Sequence, residues 1–285
     1  MSAAALPSEA RSNAAAAALE SIRVQGGVRA TFACVNQKTR VAHLAEHGGY
    51  RMLFPRTNAA RAEAVVINTG GGVVGGDRIA FDIGVETGAN VAATTQAAER
   101  IYRSTGLFSE IDVRLKVAAG AQLAWVPQET ILFSGARLKR RIGVEVASDG
   151  VVLLAESTVF GRIASGETML GGQLHDVWRI RREGRLIFSE ATRLDDVCKS
   201  ALERPAVLRG ASAAALLLYV GPAAEARLPS IREAMHGFRG ETGASAWNGM
   251  LAVRCVAAAP EDMRYDVMRA IAILSGAPLP RVWAT

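Results

Sequence analysis

Three groupings in this chain combine residue types and spacings that could do chemistry. Gly70, Gly72 and Gly75 stand at the spacing of a G-x-G-x-x-G phosphate loop, behind an apolar run from Ala64 to Asn68 that reads as a strand. His43 and His47 are four residues apart, which on a helix would put two metal-binding imidazoles on one face. Ser165, His175 and Asp176 supply the side-chain types of a hydrolytic triad. Each grouping fails on its context. A dinucleotide loop must open a helix whose N-terminus faces the pyrophosphate, whereas Asp77-Arg-Ile-Ala-Phe-Asp-Ile-Gly-Val85 alternates as a strand, and no Gly-Lys-Ser/Thr is present for a P-loop. Gly70, Gly71, Gly72, Gly75 and Gly76 instead predict a tight turn between strands. Gly48-Gly49 follows His47 directly and no Cys or carboxylate completes a closed site, so the pair is read as part of a solvated turn. Ser165 lies in Ala-Ser-Gly and not in G-x-S-x-G, and nothing near His175-Asp176 supplies a nucleophile motif.

The elements that must carry any site are predominantly strands. From Ile22 onward short alternating segments are separated by glycine-containing turns, the pattern of half-buried antiparallel strands. A unit of strand, glycine turn and second strand recurs at an offset of about 30 residues. Its copies run from Ile79-Phe81-Ile83-Val85 through Gly88 to Gln96, from Ile111-Val113-Leu115-Val117 through Gly120 to Gln128, and from Ile142-Val144-Val146 through Gly150 to Thr158. A weaker copy passes through Trp178 and Ile180 to Gly184. Units of this kind bury a continuous core only when stacked, so the predicted fold is mostly β: a layered, β-helix-like or sandwich body of stacked strand repeats. Towards the C-terminus, Leu228 to Phe238 and Pro260 to Leu274 have helical spacing, the latter opened by Pro260-Glu-Asp and closed by Ser275-Gly276. Trp247 to Val256 between them reads as a strand, and both helices are expected to pack on the β body.

Bulk composition narrows the function classes. The chain has 285 residues, half of them apolar, and a formal net charge of +6, which favours acidic partners. Cys34, Cys198 and Cys255 are widely separated and odd in number, giving neither a disulfide framework nor a C-x-x-C metal site and favouring a reducing cytoplasm. The Ala-rich stretch over 1–20 is interrupted by Glu9, Arg11 and Asn13 and is read as a mobile tail rather than a signal peptide, with one β-rich domain expected over 21–285. No run reaches the length of a membrane span. Basic clusters at Arg137, Lys139, Arg140 and Arg141 and at Arg179, Arg181, Arg182 and Arg185 lack interleaved aromatics, so a solvated strand face or an acidic partner surface is expected there, not nucleic acid.

The run Asn68-Thr-Gly-Gly-Gly-Val-Val-Gly-Gly-Asp77, followed by Thr94-Thr-Gln-Ala-Ala-Glu-Arg-Ile-Tyr-Arg-Ser104, resembles the signature stretch of the urease accessory protein UreD (UreH) family. Pro127-Gln-Glu-Thr-Ile-Leu-Phe133, Phe160-Gly-Arg162, Ala164-Ser-Gly-Glu167 and Leu279-Pro-Arg-Val-Trp283 follow in the family's order, so the likeness extends from about residue 48 to the C-terminus. Gly70, Gly71, Gly72, Gly75, Gly76, Gln96, Arg103 and Arg162 are the motif positions taken as structural. The resemblance implies a non-catalytic, cytoplasmic, β-helical scaffold in a hetero-oligomer. It would bind UreF, through it the GTPase UreG, and apo-urease for nickel delivery. No tightly bound cofactor is implied, only transient nickel, for which weak oxygen ligands and water suffice. Asp77, Thr94, Thr95, Glu129, Glu156 and Glu167, at turns or edges of the repeat, are the candidates for lining such a metal route; each could equally cap a turn. Pro280, Arg281 and Trp283 are the candidate partner-binding residues, with the alternative that Trp283 covers an apolar edge.

Overall fold

A computed structural model describes residues 23–56, 61–196 and 198–284; the tail expected over 1–20 lies outside the described residues. In chain order the strands are β1 (Gln25–Val35), β2 (Lys38–His47), β3 (Tyr50–Leu53), β4 (Ala62–Asn68), β5 (Arg78–Val85), β6 (Asn90–Thr95), β7 (Glu99–Ile101), β8 (Ser109–Val117), β9 (Gln122–Trp125), β10 (Thr130–Leu132), β11 (Arg137–Val146), β12 (Val151–Phe160), β13 (Gln173–Arg182) and β14 (Arg185–Leu194). Helix α1 (Cys198–Leu202), β15 (Ala213–Val220), α2 (Ala224–Met235), β16 (Glu241–Trp247), β17 (Met250–Ala257) and α3 (Pro260–Ser275) complete the fold.

The predicted repeat is a coil that visits two sheets in turn. Strands β5, β8, β11 and β13 lie side by side in a seven-stranded sheet of order β14-β13-β11-β8-β5-β1-β2, while β4, β6, β9 and β12 adjoin in the second sheet. Ile79 pairs with Ile111, Ile111 with Arg140, and Arg140 with Asp176, so neighbouring coils are offset by close to the period of the sequence repeat. The pairing between coils is parallel, against the antiparallel expectation, because each coil crosses to the other sheet before returning in the same direction. The copy through Gly184 departs from the series: it turns back as the antiparallel β13–β14 hairpin and ends the stack in the seven-stranded sheet.

Two apolar layers follow from this arrangement. The inward rows of both sheets meet around Phe32, Ile83, Val113, Trp125, Ile142, Leu154 and Trp178. The opposite face of the second sheet, through Ala92, Ala124, Leu153 and Ala155, packs against α2 and α3. Helix α3 buries Met263, Val267, Ala270, Ile271 and Leu274, one stripe at helical spacing, and stops at Gly276 in the left-handed conformation. Helix α2 begins four residues before the expected Leu228 and carries Pro229 inside it. Of the strand expected over Trp247 to Val256, Met250 to Val256 belong to β17 and Trp247 ends β16, the two joined as a hairpin through Asn248 (φ 51°) and Gly249 (φ 72°). Two consecutive left-handed residues form the tight turn that Asn-Gly favours. Among the described residues no helix is long and apolar enough to cross a membrane.

Candidate functional site

Alternation along β11, β12 and β13 sets the site. In β11 the inward row is Leu138, Arg140, Ile142, Val144 and Val146, in β13 it is Leu174, Asp176, Trp178 and Ile180, and in β12 it includes Val152, Leu154 and Glu156. One charged residue in each row therefore points between the sheets, where Arg140, Glu156 and Asp176 are 3%, 6% and 9% exposed. Arg140 donates to Thr130 Oγ1 (3.3 Å), to Glu156 Oε2 and to Asp176 Oδ2, and the Trp125 indole donates to Glu156 Oε1 at 3.0 Å. Contrary to the solvated basic face expected for its cluster, Arg140 is buried, because its alternation phase turns it inward. Burial pulls against its charge, but Asp176 and Glu156 outweigh that and hold the guanidinium more firmly protonated than usual. Burial pushes the Glu156 carboxyl up despite the guanidinium. One cation between two carboxylates leaves a net negative charge when all three are ionised, and Asp176 Oδ1 has no hydrogen-bond partner.

Cavities lie on both sides of this cluster, and Arg140 and Glu156 line both. The cavity of about 200 Å³ also meets Tyr50, Asn68, Glu99 and Thr95. There Tyr50 Oη donates to Glu99 Oε2 (3.2 Å) and Asn68 Nδ2 donates to Glu99 Oε1 (3.0 Å). Burial raises the Glu99 carboxyl; the hydrogen bonds from Asn68 and Tyr50 oppose this without cancelling it. The cavity of about 170 Å³ reaches Asp176, Thr192, Glu190 and Arg254, the last two paired at 2.6 Å across the sheets. The result is a seam between the sheets in which Glu99, the buried cluster and Glu190 stand among otherwise largely apolar walls. Sequence reasoning found Glu156 and missed Glu99, Asn68, Tyr50, Arg140 and Asp176.

The other predicted residues are placed as follows. Thr95 lines the larger cavity and accepts the Gln128 N–H at 2.9 Å. Thr94 is buried on the far side of its strand, donating to Val126 O (2.7 Å) and accepting from the Trp283 indole (3.1 Å). Asp77 accepts the N–H groups of Val24 and Val74, both at 2.9 Å, and so closes the glycine loop. Glu129 is paired with Arg264 at 3.0 Å. Glu167 receives both Arg162 donors and is held below the usual carboxylate range by that hydrogen bonding. These four lie away from the seam. Trp283 is 1% exposed and satisfied inside the chain, Pro280 is buried, and Arg281 is exposed.

The glycine loop packs instead of cradling phosphate. A Cβ on Gly75 would lie 2.2 Å from Ser104 Oγ, and Gly72 (φ 154°) abuts the Tyr102 ring, so the loop is pressed against the next coil. Gln96 gives its carbonyl to Gln128 Nε2 (3.0 Å), and Arg103 bridges to Ala136 beside Gly135. Gly70, Gly71 and Gly76 complete the turn, Gly71 and Gly76 at positive φ. His43 and His47 are exposed in strand β2 rather than in a turn. Cys198 and Cys255 are pushed up to about 11 and about 12 by burial, so both stay as thiols and not as the thiolates that bind metals. Among the described residues no three His, Cys, Asp or Glu side chains form a group that could hold a metal ion.

The family model described as UreD urease accessory protein matches residues 24–284. The chain belongs to the UreD urease accessory protein family. A urease accessory protein UreD of Azorhizobium caulinodans is 45% identical over 262 residues, 92% of this chain and 97% of its own length. UreD proteins of Xanthobacter autotrophicus and Rhodopseudomonas palustris are each 46% identical, covering 92% of this chain and 91% of their own lengths. Within this UreD-family fold the match spans every element that builds the seam.

Proposed function

We propose that this UreD-family chain is a non-catalytic scaffold in urease maturation, and that nickel on its way to apo-urease passes through the seam between its two sheets. The carrying observation is that one buried cluster, Arg140–Glu156–Asp176, stands between two cavities, with Arg140 and Glu156 lining both. A buried excess of negative charge attracts a divalent cation strongly at low effective dielectric. Carboxylate oxygens and water bind nickel weakly enough to release it, as a cargo requires. Glu99 and Glu190 supply further oxygens on either side of the cluster. On this reading the chain works in the cytoplasm within a hetero-oligomer that includes UreF, UreG recruited through UreF, and apo-urease.

Co-expression of the tagged chain with UreF, UreG and apo-urease from one source tests the assembly. All are expected to co-purify and urease activity to be restored. Failure of UreF to bind folded chain would overturn the scaffold reading.

A further inference from the structure

The outer face of the seven-stranded sheet is not covered by α2 or α3, which both pack on the second sheet. Across it runs a groove of about 470 Å³. Five cationic side chains line the groove, Arg29, Arg114, Lys116, Arg179 and Arg181, against two carboxylates, Asp82 and Glu145. The carboxylates are already engaged: Asp82 by Arg114 and by Arg29 (3.5 Å), Glu145 by Arg181 (3.8 Å). Lys116 is exposed with no ion pair among the described residues, and Arg179 donates only to neutral oxygens, of Trp178 and Ser189. The unneutralised charge therefore sits on this face.

The floor of the groove is made by Gly84 in β5 and Gly143 in β11. Nothing within the fold demands glycine at either position. A Cβ on Gly84 would make only ordinary contact with Thr31, at 3.6 Å, one on Gly143 would meet nothing nearer than Val113 O at 4.0 Å, and neither has positive φ. Glycine weakens a strand interior, and in strands it often marks a place where another backbone comes close. Past Gly84 the depression continues along Thr31, Cys34 and Glu86.

We propose that this groove docks an extended, carboxylate-rich segment of a partner protein, whose backbone lies over Gly84 and Gly143 while its acidic side chains meet Lys116 and Arg179. A strand-like segment carries side chains on alternate faces about every 7 Å, within reach of cations on neighbouring strands about 4.8 Å apart. The inference is independent of the seam between the sheets and of any cargo in it.

The test is fluorescence anisotropy on the purified full chain with a labelled decaglutamate peptide, beside labelled decathymidylate, at low and physiological salt. Saturable peptide binding is expected, with the peptide held more tightly than the oligonucleotide. Gly84→Thr/Gly143→Thr should weaken it on the order of tenfold while the melting temperature holds or rises, since β-branched residues suit strands. Lys116→Glu/Arg179→Glu should weaken it at least as much, and it decides the matter if the threonine variant fails to fold. The proposal is overturned if the wild-type chain does not bind the peptide, if raising the groove floor or reversing its free charges leaves affinity unchanged, or if decathymidylate binds more tightly.

Discussion

Burial raises the Glu99 and Glu156 carboxyls, and the donors aimed at their oxygens oppose this by favouring the ionised form: Tyr50 and Asn68 at Glu99, Trp125 and Arg140 at Glu156. The donors fix the geometry while burial weighs against the charge, a balance that would suit the proposed weak, releasable oxygen ligands. A raised folded-state carboxyl keeps its proton to higher pH than in the unfolded chain. Its contribution therefore makes stability fall as pH rises from the ordinary carboxylate value through the folded value. Glu99→Gln removes that term. Relative to wild type, the variant's melting temperature should improve from about pH 4 towards pH 7. Melts at several pH values check this, and a gap that moves the other way would contradict the assignment. All three charged members of the central cluster were legible in principle. Arg140 and Asp176 stand in the apolar phase of their strands, Leu138-Arg140-Ile142 and Leu174-Asp176-Trp178, as Glu156 does after Val152 and Leu154. Reading Arg140 as one of a run of basic residues, rather than by its phase, hid it.

Among the elements, a 3-10 turn over Arg281–Ala284 closes the outer layer. Trp283 is enclosed, its indole bonded to Thr94 and to Val126 O, with the Arg264 guanidinium 4.9 Å from its ring centre. Trp283→Ala should cost about 3–5 kcal/mol, whereas Trp247→Ala, at a 37% exposed tryptophan, should cost less than about 1 kcal/mol. Urea unfolding of the two variants distinguishes a structural latch from an exposed contact; equal, small losses would remove the latch. Strand repeats and α3 were readable because alternation and helical spacing are local. Parallel pairing was not, because alternation says which face a residue takes and nothing about the direction of its neighbour. The Asn248-Gly249 turn is readable from its dipeptide, which divides the strand expected over Trp247 to Val256.

For the whole molecule, stacking coils brings residues from distant segments into one space. Tyr50, Asn68 and Glu99 come from β3, β4 and β7, and Glu190 and Arg254 from β14 and β17. No spacing rule in the sequence links them; only the register of the coils does. On the proposed reading, the space so formed carries nickel to urease. The direct measurement is the nickel content of urease purified from cells making UreF, UreG and either the wild-type chain or Glu156→Gln, after showing that each complex co-purifies intact. The substitution leaves Arg140 paired with Asp176 and neutralises the cluster's excess charge. Nickel per urease active site should fall several-fold at unchanged assembly; full nickel content with the variant would contradict a nickel route past Glu156.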